Sequence, residues 1–318
     1  MIHPALRLAA LSAFVAGAFA VAGCPQSAGH GGDPTPAISP ITVQGGKLAD
    51  LAFGIVGDTR PATPDDTASY PSLIITKIFQ AFDAANPRPP FVIATGDYIF
   101  STNAGATANA QLDKYLNARD GFRNPVFPAM GNHECTGYTA SNCGVGTSDG
   151  ETDQYQKYMQ KYVAPLGLTT PYYSTRIDAI DGSWTSKFVF VASNAWTGTQ
   201  AAWLEQALSV PTTYTFVIRH TDVGATTAPG TTPSANIIGA HPYTLLIVGH
   251  SHTYRHSAPN KQLIVGNGGA PITTGANYGY VIAHRRPSDG AIEFNSYDYD
   301  TGAINDTFAV NADGTTAP

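Results

Sequence analysis

The chain has 318 residues, of which 43% are apolar and 13% are charged, and its formal net charge is −6. This length and apolar content allow a sizeable core, while the low charge and the many Gly, Pro and Tyr residues exclude a coiled coil or a disordered chain. No cluster of Lys and Arg suited to a phosphate backbone is present, so we expect no binding to polymeric nucleic acid.

Residues 1–23 have the pattern of a signal peptide with a lipoprotein cleavage motif. Arg7 provides a basic start, residues 8–20 are apolar, and "VAGC" ends the segment at Cys24. Small residues before a cysteine resemble the lipobox of bacterial lipoproteins. That resemblance implies export, cleavage before Cys24 and lipidation of its thiol, which anchors the chain to a membrane on its periplasmic or cell-surface face. The alternative is an ordinary signal peptide cut elsewhere, with Cys24 unmodified.

Residues 24–43 are predicted to be a flexible tether, because most of this stretch is rich in Pro, Gly and Ser and poor in apolar residues. From residue 44 to 318 short apolar runs alternate with amphipathic stretches of helical length. We interpret this second part as one domain.

The apolar runs of this domain have the length, β-branched content and Gly or Pro flanks of buried strands. In chain order they are residues 51–56, 90–95, 125–130, 187–193, 214–219, 244–248 and 262–266. Apolar spacing predicts helices at residues 72–86, 110–120 and 199–209. The buried face of the first helix is predicted to be Leu73, Ile74, Ile78, Phe82 and Ala85.

This alternation of strands and helices predicts an α/β fold with a largely parallel or mixed sheet. Residues 278–310 look like hairpin strands joined by "SDG" and "DTG" turns, and we expect them to close the domain.

Two cysteines remain when Cys24 is set aside. Cys135 and Cys143 flank the polar, turn-forming loop "TGYTASN", and an exported protein meets an oxidising compartment. We therefore predict a disulfide between them. A metal-binding role lacks a second cysteine pair at zinc-finger spacing.

Side chains able to bind a metal follow five of the predicted strands. These segments are Gly57-Asp58, Gly96-Asp97, Gly131-Asn132-His133-Glu134, His220 and Gly249-His250-Ser251-His252. Because ligands of α/β sheets bind at the carboxyl edge of the strands, we expect these side chains to converge there. A mixture of carboxylate, amide and imidazole ligands suits Zn, Mn, Fe or Ni rather than Mg or Ca alone.

The ordered set GD…GD…GNHE…H…GHSH resembles the calcineurin-like metallophosphoesterase superfamily, which includes the purple acid phosphatases, over residues 50–268. The resemblance implies a sandwich of two mixed β-sheets flanked by helices. It also implies a dinuclear centre of divalent or trivalent ions (Fe, Zn or Mn). Metal-bound hydroxide in such a centre hydrolyses a phosphomonoester or phosphodiester, so the implied partner is a small phosphorylated substrate.

The resemblance also implies a role for each residue. Asp97 resembles the carboxylate that bridges the two ions. The implied ligands of one ion are Asn132, His220 and His250, and those of the other are Asp58 and His252. His133 resembles the residue that contacts the phosphoryl group or protonates the leaving oxygen, and we expect Glu134 to orient its imidazole.

The sequence departs from the family at two positions. Arg60 stands where the family usually has a histidine, and Phe100 stands where purple acid phosphatases have a tyrosine ligand. A guanidinium about 6 Å from a divalent ion repels it by about 5 kcal/mol at an effective dielectric constant of 20.

Three interpretations of Arg60 are open. Arg60 binds the phosphoryl group and, with His133, stabilises the developing charge; or Tyr98 or His256 replaces the missing ligand; or the second ion is absent. The first is favoured because Arg suits the planar geometry of phosphate. The third supports an alternative function, a non-catalytic binding or scaffold protein that keeps the fold with one ion or none.

Overall fold

The computed structural model describes residues 41–102, 106–137, 140–225 and 228–318. The predicted signal peptide, the lipidation site Cys24 and residues 24–40 of the predicted tether lie outside the described residues. Within them, Ile41 and Val43 are buried in the core. These two apolar side chains, at the end of the predicted tether segment, therefore pack against the domain.

The strands and helices follow the chain as the apolar pattern predicts, with additions. The strands are β1 (Gly46–Leu48), β2 (Ala52–Val56), β3 (Val92–Ala94), β4 (Val126–Pro128), β5 (Tyr173–Ala179), β6 (Thr185–Val191), β7 (Tyr214–Arg219), β8 (Leu245–Val248), β9 (Tyr254–Ser257), β10 (Gln262–Val265), β11 (Gly279–Arg285), β12 (Ile292–Asp298) and β13 (Ile304–Val310). The helices are α1 (Ser72–Ala84), α2 (Ala106–Arg119), α3 (Asp153–Tyr158), α4 (Gly198–Ser209) and α5 (Thr231–Gly239).

These strands form two sheets, ordered β1-β5-β6-β7-β8-β10-β9 and β13-β12-β11-β2-β3-β4. Strands β6, β7, β8 and β10 are parallel in the first sheet, as are β2, β3 and β4 in the second. Each sheet also has antiparallel pairs, and the late hairpin strands join the second sheet through β11, which pairs antiparallel with β2. The α/β fold with two mixed sheets is confirmed.

The main core lies between the two sheets, where apolar side chains of alternating strand positions meet. Phe53 of β2 contacts Phe188 of β6 and Phe216 of β7 edge-on, with ring centroids 5.1 and 5.2 Å apart. The next residue on β2 is Gly54, where a Cβ atom would lie 2.6 Å from the ring of Phe82 on α1. The absence of a side chain there lets α1 pack closely on the outer face of its sheet.

Helix α1 confirms only part of its predicted buried face: Ile78 and Phe82 are buried as predicted, and Leu73 is not. Its buried residues are Ile75, Ile78, Phe79 and Phe82, whereas Leu73 is 70% exposed. Apolar residues occupy most sides of this helix, so spacing alone did not identify the face that meets the sheet. In the described part of the chain no helix is long and apolar enough to span a membrane.

The predicted disulfide is present between Cys135 and Cys143, whose Cα atoms lie 5.5 Å apart. Both cysteines are buried. The backbone carbonyl of Cys135 accepts a hydrogen bond from Thr152 Oγ1, and the amide of Cys143 donates one to the carbonyl of Asn194. The bridge therefore fixes the loop that follows the "GNHE" segment to two other parts of the domain.

Candidate metal centre

The loops that follow β2, β3, β4, β7 and β8 bring the predicted metal ligands together at one edge of the sandwich. Among these predicted ligands, two sets have ligand atoms that all lie within 4.8 Å of one another, and both contain Asp97. We call Asp97, His220 and His250, with the adjacent Asn132, the His220 group. We call Asp58, Asp97 and His252 the His252 group.

The His220 group combines residues from both sheets. Asp97 Oδ1 lies 3.3 Å from His220 Nε2, and His220 Nε2 lies 3.3 Å from His250 Nδ1. Asn132 Oδ1 is 3.1 Å from the same His250 nitrogen. A carboxylate oxygen, an amide oxygen and two imidazole nitrogens therefore face each other, which is a ligand set suited to a transition-metal ion.

The His252 group lies beside it and uses the loops after β2 and β8. His252 Nε2 is 3.5 Å from Asp58 Oδ1. Both Asp58 oxygens accept hydrogen bonds from the amide of His250, at 3.0 and 3.1 Å. Asp58 is thus tied to the loop that carries the imidazoles of both groups, and Asp97 is shared between them.

Two imidazoles are oriented by backbone carbonyls. His220 Nδ1 lies 2.9 Å from the carbonyl oxygen of Thr95, and His252 Nδ1 lies 2.7 Å from that of Pro271. Because a carbonyl only accepts, each Nδ1 carries a hydrogen, and each Nε2 faces the carboxylates, where it can bind a metal once it carries no proton. This arrangement fits metal binding. Sequence reasoning missed Thr95 and Pro271, since any residue can supply a carbonyl.

The backbone of the ligand loops is held in a conformation that side-chain-bearing residues rarely adopt. Four of the six non-glycine residues with positive φ in the described ranges are candidate ligands: Asp58 (55°), Asp97 (57°), His250 (68°) and His252 (43°). Such residues cost of order 1–3 kcal/mol each and persist where the surroundings enforce them, most often at functional sites. The strain therefore supports a function for this edge of the sandwich.

Two glycines in the predicted motifs make room for the carboxylates. A Cβ atom at Gly131 would lie 2.1 Å from Asp97 Oδ1, and one at Gly249 would lie 2.4 Å from Asp58 Oδ2. Any side chain at these positions would displace a carboxylate. The glycines of "GNHE" and "GHSH" thus allow their loops to approach the carboxylates closely.

Glu134 stabilises the backbone of two ligand loops rather than the imidazole of His133. Its fully buried carboxylate accepts hydrogen bonds from the amides of Asp97 (2.9 Å), Tyr98 (2.8 Å) and Gly131 (2.8 Å). Burial, together with the nearby charge of Asp97, raises the pKa of Glu134 to about 7. Glu134 therefore joins the loop after β3 to the loop after β4 and positions Asp97.

The electrostatics of the cluster favour a positive charge between its carboxylates. Burial alone would lower the pKa of His220, but the carboxylates of Asp97 and Asp58 outweigh it and raise the pKa to about 10. Burial raises the pKa of Asp58 well above its usual range, whereas Asp97, although buried, has its pKa held well below that range chiefly by His220 and His133. The chemistry of these groups fits a bound cation.

The other imidazoles are neutral near pH 7. Burial, aided by the charge of His220, lowers the pKa of His250 to about 4. Burial and the guanidinium of Arg60 lower the pKa of His252. Both rings are therefore available as ligands without losing a proton.

His133 lies beside the shared carboxylate. Its Nε2 is 3.8 Å from Asp97 Oδ2, and its amide donates a hydrogen bond to Asp97 Oδ1 at 3.1 Å. The imidazole is 7% exposed and meets the ring of Phe100 edge-on, with the centroids 4.6 Å apart. Burial lowers the pKa of His133 to about 3, so the ring is neutral at neutral pH.

Arg60 points into the same region from the loop after β2. Its Nε lies 3.9 Å from Asp97 Oδ2, and one terminal nitrogen lies 3.5 Å from His252 Nε2. The guanidinium stacks on Phe100 at 4.7 Å, and its other terminal nitrogen donates to the carbonyl of Pro61 at 3.0 Å. The buried Nε atom has no hydrogen-bond partner. Arg60 therefore contacts the His252 group directly.

The two replacement ligands considered for Arg60 do not lie in either group. The hydroxyl of Tyr98 is buried and lies 3.1 Å from the carbonyl oxygens of Ala94 and Ala129, to either of which it can donate its hydrogen. His256 lies on β9 and stacks on Phe308 with ring centroids 3.6 Å apart. The interpretation in which one of them replaces the missing family ligand is wrong, because both side chains pack elsewhere.

Known proteins share this architecture. The family model described as calcineurin-like phosphoesterase matches residues 53–254. No curated protein sequence matches the chain significantly.

Solved structures are similar to the chain at low sequence identity. The chain is similar to GAP50, the anchor in the inner membrane complex of Plasmodium, with 14% identity and a TM-score of 0.57 over 84% of this chain and 90% of that one. A 5'-nucleotidase from Candida albicans has 12% identity and a TM-score of 0.44 over 79% and 52% of the respective chains. A Zn²⁺ complex of Vps29 from Entamoeba histolytica has 14% identity and a TM-score of 0.36 over 81% and 99%. The family model matches residues 53–254, which is more than half of this chain. The chain therefore belongs to the calcineurin-like phosphoesterase family.

Proposed function

We propose that this protein hydrolyses phosphoesters of small molecules with the help of metal ions at the His220 and His252 groups. The observation that carries the proposal is the shared carboxylate of Asp97, which belongs to both groups in a member of the calcineurin-like phosphoesterase family. The His220 group would hold one ion through Asp97, Asn132, His220 and His250. The His252 group would hold a second ion through Asp58, Asp97 and His252.

Such ions, Fe, Zn or Mn, polarise a phosphoryl oxygen and lower the pKa of water from about 15.7 to about 7. Other residues of the chain hold the metal ligands in position. The carbonyls of Thr95 and Pro271 hold His220 and His252 with Nε2 toward the carboxylates. Glu134 holds Asp97 through its amide. These contacts are made before substrate arrives, so binding need not reorganise the site.

Arg60 and His133 bind and stabilise the phosphoryl group. Both lie within 4 Å of Asp97 Oδ2, at 3.9 and 3.8 Å. The unpartnered Nε of Arg60 is a donor for a phosphate oxygen, and guanidinium groups suit such oxygens. His133 is neutral at pH 7 and donates an N–H to the developing oxyanion. To protonate the leaving oxygen, His133 must first gain a proton, which requires that the bound phosphate raise the pKa of His133.

A substrate panel tests the proposal. Metal-free protein is reconstituted separately with Zn²⁺, Mn²⁺ or Fe²⁺ and assayed against phosphomonoesters and phosphodiesters. We expect metal-dependent turnover of at least one class. Asp97→Asn should lower it by at least about 10³-fold, whereas Asp50→Asn, an exposed carboxylate, should leave it unchanged. Metal-loaded protein that turns over neither class would contradict the proposal.

We propose further that the protein is exported and anchored to a membrane by lipid on Cys24. The "VAGC" motif supports this part of the proposal. Metabolic labelling with a fatty-acid analogue should mark the wild-type chain and not Cys24→Ser. An unlabelled wild-type chain in a lipoprotein-processing host would contradict it.

A second candidate function is a non-catalytic binding or scaffold role. Arg60 favours it, because its guanidinium lies 3.5 Å from the His252 nitrogen that would bind an ion. The fold is compatible with such a role, since it is shared with GAP50, which is named as an anchor. The same substrate panel separates the two candidates: turnover sensitive to Asp97→Asn supports the hydrolase, and its absence supports the scaffold.

A further inference from the structure

Arg60 contacts the His220 group and the His252 group of the metal centre unequally. Asp97 presents Oδ1 to His220 at 3.3 Å and Oδ2 to the Arg60 Nε at 3.9 Å. A terminal nitrogen of the same guanidinium is 3.5 Å from His252 Nε2, the atom that Pro271 orients for metal binding. The positive charge of Arg60 thus lies against two members of the His252 group, while the His220 group meets the opposite oxygen of the shared carboxylate.

The guanidinium is held in this position by contacts outside the metal groups. Its plane stacks on Phe100 at 4.7 Å, one terminal nitrogen donates to the Pro61 carbonyl at 3.0 Å, and the side chain is 14% exposed. Moving the charge away from Asp97 and His252 would break both contacts. The fixed charge therefore acts on any cation that enters the His252 group.

A fixed positive charge weakens a divalent-ion site in two ways. It repels the ion over a few ångströms in a poorly solvated region, and it competes for the carboxylate and imidazole atoms that would bind the ion. The family histidine that Arg60 replaces would add a ligand instead of a charge. The His220 group meets the other oxygen of the shared carboxylate and has an amide and two imidazoles of its own.

We infer that Arg60 makes the two ion positions unequal, so that the His220 group binds its ion at least about 100-fold more tightly than the His252 group. The inference rests on the proposed metal-dependent function and deepens it. Without substrate and at low metal concentration, the centre holds one tightly bound ion beside the fixed guanidinium. The second ion binds only at high metal concentration.

The experiment is a calorimetric titration of metal-free protein with Mn²⁺ alone, with no substrate present. Wild type is compared with three variants of the same position: Arg60→Met, Arg60→Lys and Arg60→His. Arg123→Met is the matched control, because it removes the same charge from an exposed loop residue before β4. The manganese retained after gel filtration gives an independent count of tight sites.

Wild type, Arg60→Lys and Arg123→Met should each bind one ion tightly and a second at least about 100-fold more weakly. Arg60→Met should tighten the second site by at least about tenfold, and Arg60→His should tighten it further because it also adds a ligand. An unchanged first affinity shows that each variant is folded.

Two comparable affinities in wild type would overturn the inference, as would an Arg60→Met variant whose second site is unchanged or whose first site is lost. Tightening in Arg60→Lys equal to that in Arg60→Met would also overturn it, because charge would not be the cause. These outcomes leave the proposed hydrolysis intact. Protein that binds no manganese at all would instead contradict the proposed metal centre itself.

Discussion

Asp97 Oδ1 lies 3.3 Å from His220 Nε2, although Asp97 follows a strand of one sheet and His220 a strand of the other. This contact joins the parallel strands of both sheets at their carboxyl ends. Because Asp97 also belongs to the His252 group, one carboxylate connects all the loops of the candidate metal centre. Loss of the contact between Asp97 and His220 would therefore affect both the fold and the proposed metal binding.

Removing the Glu134 carboxylate should destabilise the protein. Glu134→Ala leaves the buried amides of Asp97, Tyr98 and Gly131 without acceptors, at about 1–3 kcal/mol each. We expect the free energy of unfolding in urea to fall by about 3 kcal/mol or more. Glu151→Ala, which changes an exposed glutamate, should alter it by less than about 0.5 kcal/mol. Equal effects of the two changes would refute the positioning role.

Binding of the first ion should release about one proton near pH 7. His220 has a pKa of about 10 in the protein without metal, so it is protonated at pH 7 and must lose that proton to become a ligand. His250, with a pKa of about 4, is already neutral and releases none. Metal affinity should therefore rise about tenfold per pH unit between pH 6 and 8.

Calorimetry in buffers with different ionisation enthalpies measures this proton release. A binding enthalpy that does not depend on the buffer would show that no proton is released. That result would contradict the assignment of a protonated His220 between Asp97 and Asp58.

Replacing His133 should slow turnover without removing metal. The nearest polar contact of its imidazole to the centre is Nε2 to Asp97 Oδ2 at 3.8 Å, and it belongs to neither ligand group. For His133→Asn we expect turnover to fall by about 10²-fold or more, with first-ion affinity within about threefold of wild type. Because the pKa of His133 is about 3, the pH profiles of kcat/KM for both proteins should have the same shape above pH 5. Loss of the metal from this variant would show that His133 is a ligand.

The disulfide should contribute to stability and not to metal binding. The bridge joins residues eight positions apart, and closing a loop of this size stabilises a protein by roughly 2–3 kcal/mol in the chain-entropy account. We expect the Cys135→Ser/Cys143→Ser double variant to lose about this much free energy of unfolding in urea while binding the first ion normally. Reductant should destabilise wild type and leave the double variant unaffected; an equal response of both would refute the prediction.

Much of the fold followed from local apolar patterns, and the metal groups followed from the residues after each strand. Runs such as residues 214–219 and 244–248 correspond to β7 and β8 almost to the residue. Strand β5 was missed because its alternation of buried and exposed positions contains Ser, Thr, Arg and Asp rather than a continuous apolar run. The alternation itself was the available signal.

The supporting contacts of the site were not predictable in the same way. The carbonyls of Thr95 and Pro271 that orient two imidazoles belong to backbone positions, so no residue type marks them. The role of Glu134 was misassigned because adjacency to His133 in sequence suggested contact, whereas its carboxylate turns toward three amides. Such contacts depend on how loops from separate strands pack against each other.

Anomalous diffraction from a crystal grown with Mn²⁺ tests the metal centre most directly. We expect a peak within ligand distance of Asp97, Asn132, His220 and His250, and a weaker or absent peak at the His252 group unless the manganese concentration is raised. Absence of any peak at Asp97, or an ion bound only elsewhere in the chain, would contradict it.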